Sequence, residues 1–255
     1  MKKALFYFLV FEIFIQVTAL SARGQAIPTN RQNLPSKQIM VVLTDNWDDL
    51  HGRLYAFKKQ NSKWVLQFSN AVVVGSKGLG LGDGVIPLTS NGVPIKHEGD
   101  KKSPAGIFGI GTAFGYARAR DTRWIKNPYI RAFDTLICVD DIHSTAYNIL
   151  ISKDTGKNDY HSFEYMHRKD NYYKWGLFIN HNSGTVVPGD GSCIFLHIWE
   201  NADSGTVGCT AMTEKNVLRI LHWINAKNKP LLVQLPVDEY RKLQTGFNLP
   251  DIKYH

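Results

Sequence analysis

The sequence has few cysteines and, beyond its first 20 residues, no long apolar run. Its 255 residues contain three cysteines, Cys138, Cys193 and Cys209. Because three is an odd number, at least one thiol has no partner within the chain. No stretch after residue 20 is apolar enough to cross a membrane, and no internal repeat is present. These absences exclude a multi-span membrane protein and a repeat array.

The sequence also lacks a complete signature for nucleotides. The glycine-rich segment 75–84 is not followed by the Gly-Lys-Ser/Thr that completes a phosphate-binding loop. We therefore interpret it as a turn between strands. Asp140 and Asp141 suggest a cation, but no further ligands stand at metal-like spacing around them. We expect no cofactor.

A second candidate for metal binding is incomplete as well. His161, Glu164 and His167 recur every three residues, whereas a zinc-binding helix carries His-Glu-x-x-His. The spacing predicts the polar outer face of a short amphipathic helical segment within residues 160–173. We expect no metal here.

Positive charge exceeds negative charge but is not concentrated. The chain carries 30 Lys and Arg against 22 Asp and Glu, for a formal net charge of +8. The basic residues are spread along the chain, and aromatic residues such as Trp64 and Phe68 fit alternating strand faces. This pattern excludes a nucleic-acid-binding module and is compatible with anionic cell-wall polymers or membrane surfaces.

The N-terminus has the pattern of a secretory signal peptide. Two lysines precede an apolar run over residues 4–20, which Glu12 interrupts, and small residues follow up to Gly24. We expect a signal peptide over 1–24, a linker over 25–37 and one domain over 38–255, with export to the periplasm or cell envelope. The alternative is an uncleaved N-terminal anchor.

The rest of the chain indicates a mainly β domain of about 230 residues. Alternating or continuous apolar runs predict strands, and one segment with a one-face apolar pattern predicts a helix that Thr213 caps. The predicted strands are 38–44, 52–59, 64–74, 175–180 and 231–235, and the predicted helix is 213–226. The alternation is imperfect over 53–57, so the register there is open. Residues 124–141 are typical of a loop.

Residues 192–212 carry the candidate chemistry. The apolar run 193–196 predicts a strand with His197 at its end, and a polar loop returns the chain to Gly208 and Cys209 just ahead of the predicted helix. A helix N-terminus and a nearby imidazole both favour a thiolate. The N–H groups from Gly208 to Thr210 are candidates to face an oxyanion. The alternative is a buried structural thiol and a core histidine.

These residues resemble a known family. Phe195-Leu196-His197, followed by Thr206-Val207-Gly208-Cys209 and Met212, resembles the L,D-transpeptidase catalytic domain (YkuD-like), and the similarity covers most of residues 70–235. The resemblance implies a β-sandwich with a few short α-helices. It also implies that Cys209 is the nucleophile and His197 the base, with Gly208 and Thr210 around the oxyanion.

Three features depart from the family pattern. Val207 stands where the common motif has a second histidine, and Ala211 stands where many members have Arg or Asn. The step from His197 to Cys209 is short, at twelve residues. The cysteine and histidine of the motif survive all three changes.

The resemblance also guides the minor assignments. If Cys209 is the free reactive thiol, Cys138 and Cys193 form the disulfide; a bridge from Cys209 to either of them is the alternative that the sequence leaves open. Thr206 and His181 are further candidates for contact with substrate.

The function that the resemblance implies is acyl transfer on peptidoglycan stem peptides through a thioester on Cys209. Two alternatives stay open at this point. The first is a carboxypeptidase or amidase of the same fold, in which water accepts the acyl group. The second is a non-catalytic cell-wall-binding module, in which Val207 and Ala211 mark a decayed site.

Overall fold

A computed structural model of the protein describes residues 34–89, 92–156 and 159–253. The predicted signal peptide and residues 25–33 of the predicted linker lie outside these residues. Residues 34–37 pack on the domain, because Leu34 and Ser36 are buried and the backbone of Lys37 bonds to Asn228 and Lys59. The last four residues of the expected linker therefore belong to the folded domain.

The domain is mainly β, which confirms the predicted class. Two α-helices are present among the described residues, α1 (Glu214–Trp223) and α2 (Val237–Gln244). The strands are β1 (Gln38–Thr44), β2 (His51–Gln60), β3 (Lys63–Val73), β4 (Leu79–Leu81), β5 (Ser103–Gly115), β6 (Tyr129–Arg131), β7 (Leu136–Val139), β8 (Leu150–Ser152), β9 (Phe163–Tyr165), β10 (Trp175–Asn180), β11 (Phe195–Ile198), β12 (Thr210–Met212) and β13 (Leu231–Pro236). Neither helix, nor any shorter helical turn in the described ranges, has the length and apolar character to span a bilayer.

The main sheet closes on itself. Its strands follow the order β10, β11, β12, β3, β2, β1, β13, β5, and β5 pairs back to β10, while β4 and β6 extend from β5. The pairs β1–β13 and β11–β12 are parallel, and the other pairs of the closed ring are antiparallel. Closure leaves the ring with no unpaired edge, and its interior is filled by the main apolar core.

Two strands match their predicted bounds, and the hairpin of β2 and β3 explains the imperfect alternation of the sequence. β1 and β10 have the predicted bounds, and the turn between β2 and β3 consists of Asn61 and Ser62, both with positive φ. Two residues of this kind form the turn that suits a twisted hairpin. The register shifts between Ala56 and Phe57. This bulge turns both side chains inward and accounts for the imperfect alternation.

The segment that carries the candidate chemistry differs from its prediction in two ways. The strand starts two residues later than expected, so that His197 lies inside β11 and not after it. Thr213 does cap α1, accepting the Asn216 N–H, but β12 lies between Cys209 and the helix. A short buried run, Thr210–Met212, is what a parallel neighbour of β11 requires, and the helical pattern begins only after it.

Two predictions for the middle of the chain were wrong. Residues 160–173 form β9 and a loop, not an amphipathic helical segment, and residues 124–141 contain β6 and the fully buried β7. β9 pairs with β7 in a separate sheet of order β8, β7, β9. Pairing overrides the three-residue spacing here, because Glu164 turns inward to accept a hydrogen bond from Tyr173.

A disulfide joins the two sheets. Cys138 on β7 is bonded to Cys193, which lies two residues before β11, and Cys209 is the free cysteine. The alternative pairings through Cys209 are therefore absent from the structure. The bridge fixes the small sheet against the outer face of the closed ring, next to β11.

We expect the bridge to contribute strongly to stability. Closing a loop of 55 residues stabilises a fold by about 4 kcal/mol on the chain-entropy model. The Cys138→Ala, Cys193→Ala double variant should therefore melt several degrees below the wild type in calorimetry. Cys209→Ala is the matched control, since it removes a buried thiol but no cross-link, and its melting temperature should change little. Three titratable thiols in denatured, unreduced protein, where one is expected, would contradict the bridge.

Candidate active site

The parallel pairing of β11 and β12 brings Cys209 and His197 together. His197 is the Cα partner of Ala211, and Cys209 lies two residues before Ala211. Side chains two apart on a strand share a face, so Cys209 and His197 point from the same side of the sheet. The opposite face, with Leu196 and Met212, points into the core. The candidate pair therefore lies on the outer face of the ring, beneath the small sheet.

The thiol of Cys209 is nearly enclosed. The residue is 4% exposed and packs with Phe195 and the Cys138–Cys193 bridge. Its Sγ accepts the Phe195 N–H at 3.3 Å and lies 3.6 Å from the Cys193 carbonyl oxygen. The thiol is thus held by the backbone of the strand that also carries His197.

The carbonyl of Cys209 is fixed from two sides. It accepts hydrogen bonds from the hydroxyls of Thr206, at 2.6 Å, and Ser103, at 2.7 Å. The Ser103 hydroxyl in turn accepts the Gly75 N–H. Two hydroxyl donors on one carbonyl leave the backbone at Cys209 little freedom to rotate.

The imidazole of His197 has a defined orientation. Nδ1 lies 2.8 Å from the carbonyl oxygen of Ile198, which can only accept, so Nδ1 carries the proton and Nε2 has a free lone pair. The edge of the ring packs against Tyr173, with 5.1 Å between ring centroids. The backbone contact and the aromatic contact together hold the basic nitrogen.

Both members of the pair are neutral at rest. Burial lowers the pKa of His197 to about 4. Burial, followed by the charge of Glu164, raises the pKa of the Cys209 thiol well above its ordinary value. Burial of the thiol therefore works against the thiolate that the sequence favoured. The helix N-terminus that would favour it lies beyond β12, and desolvation of the charged form dominates.

The turn before β12 explains the roles of the neighbouring residues. Gly208 has φ +155°, and its N–H donates to the Thr206 hydroxyl at 3.1 Å. Thr206 thus closes the turn, and the Gly208 N–H has an internal acceptor. The Thr210 hydroxyl donates to Gln234 at 2.7 Å and is buried. The N–H groups of Cys209 and Thr210 stay candidates to face an oxyanion.

His181 lies away from the pair. It follows β10, whose residue Gly176 is the partner of His197, so the two histidines are separated by roughly 16 Å along the strand. His181 is also 1% exposed, so its imidazole is enclosed by the protein. Its ring nitrogens lie 3.1 Å and 2.9 Å from the carbonyls of Asp83 and Asp190.

The structure adds three residues to the site that the sequence did not indicate. Tyr173 is buried against His197 and donates its hydroxyl proton to Glu164 at 2.6 Å. Arg168 lies over the Tyr173 ring at 5.2 Å. These residues come from β9 and the loop before β10, far from Cys209 in sequence. The only signal for Glu164 was its histidine-flanked spacing, and that signal predicted a different structure.

The two substituted motif positions have opposite environments. Val207 is 68% exposed at the turn, whereas Ala211 is fully buried opposite His197. A methyl group at 211 leaves no polar side chain on β12 beside the imidazole.

The shifted pKa values predict a distinctive dependence of stability on pH. The unfolded chain binds more protons at His197 than the folded chain between about pH 4 and 6.5, so acidification through this range destabilises the fold by up to about 3 kcal/mol. Burial raises the pKa of Glu164 to about 7. The protonated Glu164 therefore stabilises the fold at low pH, and this stabilisation is lost as pH rises from about 4.5 to 7. Its effect on the pH dependence is opposite to that of His197.

Denaturant unfolding at several pH values separates these contributions. His197→Asn should lose less stability than the wild type on going from pH 6.5 to 4. Glu164→Gln should gain stability more steeply as pH rises from 4.5 to 7. A wild-type pH profile retained by His197→Asn would mean that the imidazole is not buried in its neutral form.

The chain is similar to known proteins over most of its length. The family model of the L,D-transpeptidase catalytic domain (YkuD) matches residues 36–237. Among solved structures, the chain is similar to Bd1075 from Bdellovibrio bacteriovorus, with 10% identity and a TM-score of 0.38, over 84% of this chain and 56% of that one. This chain thus spans just over half the length of that protein. No curated protein sequence matches it. Since the family model covers most of the chain, the protein belongs to the L,D-transpeptidase catalytic domain (YkuD) family.

Proposed function

We propose that the protein is an exported cysteine acyltransferase that acts on peptidoglycan stem peptides, with Cys209 as nucleophile and His197 as base. The observation that carries the proposal is the β11–β12 register, which sets both side chains on one face. The Ile198 carbonyl adds to it by holding the His197 proton on Nδ1 and leaving Nε2 basic.

The neutral pair determines how the first step proceeds. As Sγ of Cys209 attacks the substrate carbonyl, its proton passes to Nε2 of His197, and an S–C bond forms. The imidazolium then gives that proton to the leaving amine as the C–N bond breaks, which leaves a thioester. Because neither group is charged at rest, proton transfer accompanies attack and does not precede it.

Stabilisation of the tetrahedral intermediate falls to the backbone in this proposal. The Cys209 N–H is the candidate donor, and the bonds from Thr206 and Ser103 to the Cys209 carbonyl keep the following peptide in place. A preorganised donor in a water-poor site contributes substantially to catalysis. The Gly208 N–H already donates to Thr206 and plays a structural part.

The substrate class comes from the family. The positive net charge of the chain suits an anionic polymer, and the disulfide suits an oxidising compartment outside the cytosol. An amine that attacks the thioester gives cross-linking, and water gives carboxypeptidase or amidase activity. We assign an amine as the acceptor, and identification of the products distinguishes the two reactions.

Substitution of the pair tests the proposal. Purified protein is incubated with muropeptides, and products are identified by mass spectrometry. Cys209→Ala should abolish turnover, and Cys209→Ser should be nearly inactive because an alcohol ionises far less than a thiol. His197→Ala should lower the rate by roughly 10² to 10⁴, the usual contribution of a positioned base. His222→Ala is the matched control, since it removes an exposed imidazole on α1, and should keep full activity.

The products identify the reaction. Peptide dimers or exchanged D-amino acids support the transferase, and shortened stems alone identify the hydrolase. Unchanged muropeptides, with retention of the protein on peptidoglycan, would identify the binding module instead. Substantial turnover by folded Cys209→Ala would contradict the nucleophile assignment.

A further inference from the structure

Two positively charged side chains act on the candidate nucleophile. Lys96 and Arg168 both lower the pKa of the Cys209 thiol, against the larger effect of burial. Lys96 is 3% exposed, and its ammonium is bonded to the Asp100 carboxylate at 2.7 Å and to the His97 carbonyl. Lys96 is therefore committed within the protein and has no access to a ligand.

Arg168 differs from Lys96 because solvent reaches it. Its side chain is 37% exposed. Its Cζ atom lies 5.2 Å from the centroid of the Tyr173 ring, which packs 5.1 Å from the centroid of the His197 ring. One aromatic side chain thus connects the guanidinium to the imidazole of the candidate pair.

The guanidinium is held from one edge. Asp170 accepts hydrogen bonds from Nε, at 3.0 Å, and from Nη2. The Tyr116 hydroxyl fixes the backbone, since it accepts the Arg168 N–H and donates to the Arg168 carbonyl. In the described parts of the chain, Nη1 has no hydrogen-bond partner. A fixed guanidinium with an open end is well suited to bind a carboxylate.

We propose that Arg168 binds a carboxylate of the acyl donor and so selects stem peptides with a free carboxylate close to the scissile carbonyl. The inference rests on the proposed function, in which Cys209 attacks that carbonyl. Ala211, beside His197 on β12, presents only a methyl group, so the strand that follows the nucleophile supplies no cation there.

Glu164 is the negative group that opposes this binding. It lies close enough to Arg168 and Cys209 to influence the pKa of each. Burial raises the pKa of Glu164 to about 7. At neutral pH the carboxyl is therefore protonated in about half of the molecules, and repulsion of an incoming carboxylate is reduced.

A matched pair of thiol reagents tests the subsite without any substrate. 3-Maleimidopropionate and N-ethylmaleimide are similar in size and reactivity, but only the first carries a carboxylate. In the wild type, the ratio of their rates with Cys209 should favour the anionic reagent. Arg168→Gln should lower this ratio by roughly tenfold, as expected for loss of a hydrogen bond between charged groups. Arg168→Lys should keep part of the preference, since it retains the charge.

Lys169→Gln is the control, because it removes the same charge from the neighbouring, exposed position. It should leave the ratio unchanged. An equal ratio in the wild type and Arg168→Gln would overturn the proposal. If Arg168→Gln does not fold, Arg168→Lys and the fall of the wild-type ratio with added salt decide the matter. A rate ratio that changes neither in Arg168→Lys nor with added salt would also overturn the proposal.

A peptide experiment separates this inference from the proposed function. Donors are compared with a terminal carboxylate and with a terminal carboxamide. Arg168→Gln should raise KM for the carboxylate donor, with kcat less affected, and should leave the carboxamide donor unchanged. If the wild type turns over neither donor, the proposed function fails, while the reagent ratio still decides the carboxylate subsite. Equal effects on both donors would show that Arg168 is only structural.

Discussion

The parallel contact between β11 and β12 is the constraint on which the site depends. Two short strands, joined by a loop of eleven residues from 199 to 209, hold the candidate nucleophile and base on one face. Few residues of the two strands pair with each other, so the contact depends on support from the surrounding structure. The disulfide anchors Cys193 just before β11, and two hydroxyls fix the carbonyl of Cys209 just before β12. Removal of any of these supports would loosen the relative position of the candidate pair.

Burial of this pair has a chemical consequence. Desolvation favours the neutral form of both the thiol and the imidazole, which disfavours a thiolate–imidazolium pair before a substrate arrives. In the proposed mechanism, the nucleophile is generated only as a substrate carbonyl arrives. A nearby charge such as that of Arg168 acts on the buried thiol more strongly than it would in bulk water.

Local sequence signals predicted much of the fold and indicated the candidate pair. Apolar runs such as 38–44 and 175–180 are bounded by turn residues, and their strands begin and end as expected. A short motif was enough to indicate Cys209 and His197 as the candidate pair, because a two-strand unit is nearly local in sequence. Glu164, Tyr173 and Arg168 were not found as site residues, because their placement depends on how the small sheet packs over the ring. The three-residue spacing around Glu164 even indicated a helix, and only pairing with β7 makes it a strand. Likewise, the sequence placed Cys209 beside a helix and could not show that a buried strand separates them.

The most direct test is to trap the acyl-enzyme. The wild type is mixed with a stem-peptide donor and quenched in acid within the first turnover, and the digest is mapped by mass spectrometry. The account predicts a thioester on the peptide that contains Cys209, with the mass of the donor less its terminal residue, and its loss on treatment with hydroxylamine. An acyl group on another residue, or turnover that leaves Cys209 unmodified at every quench time, would contradict it.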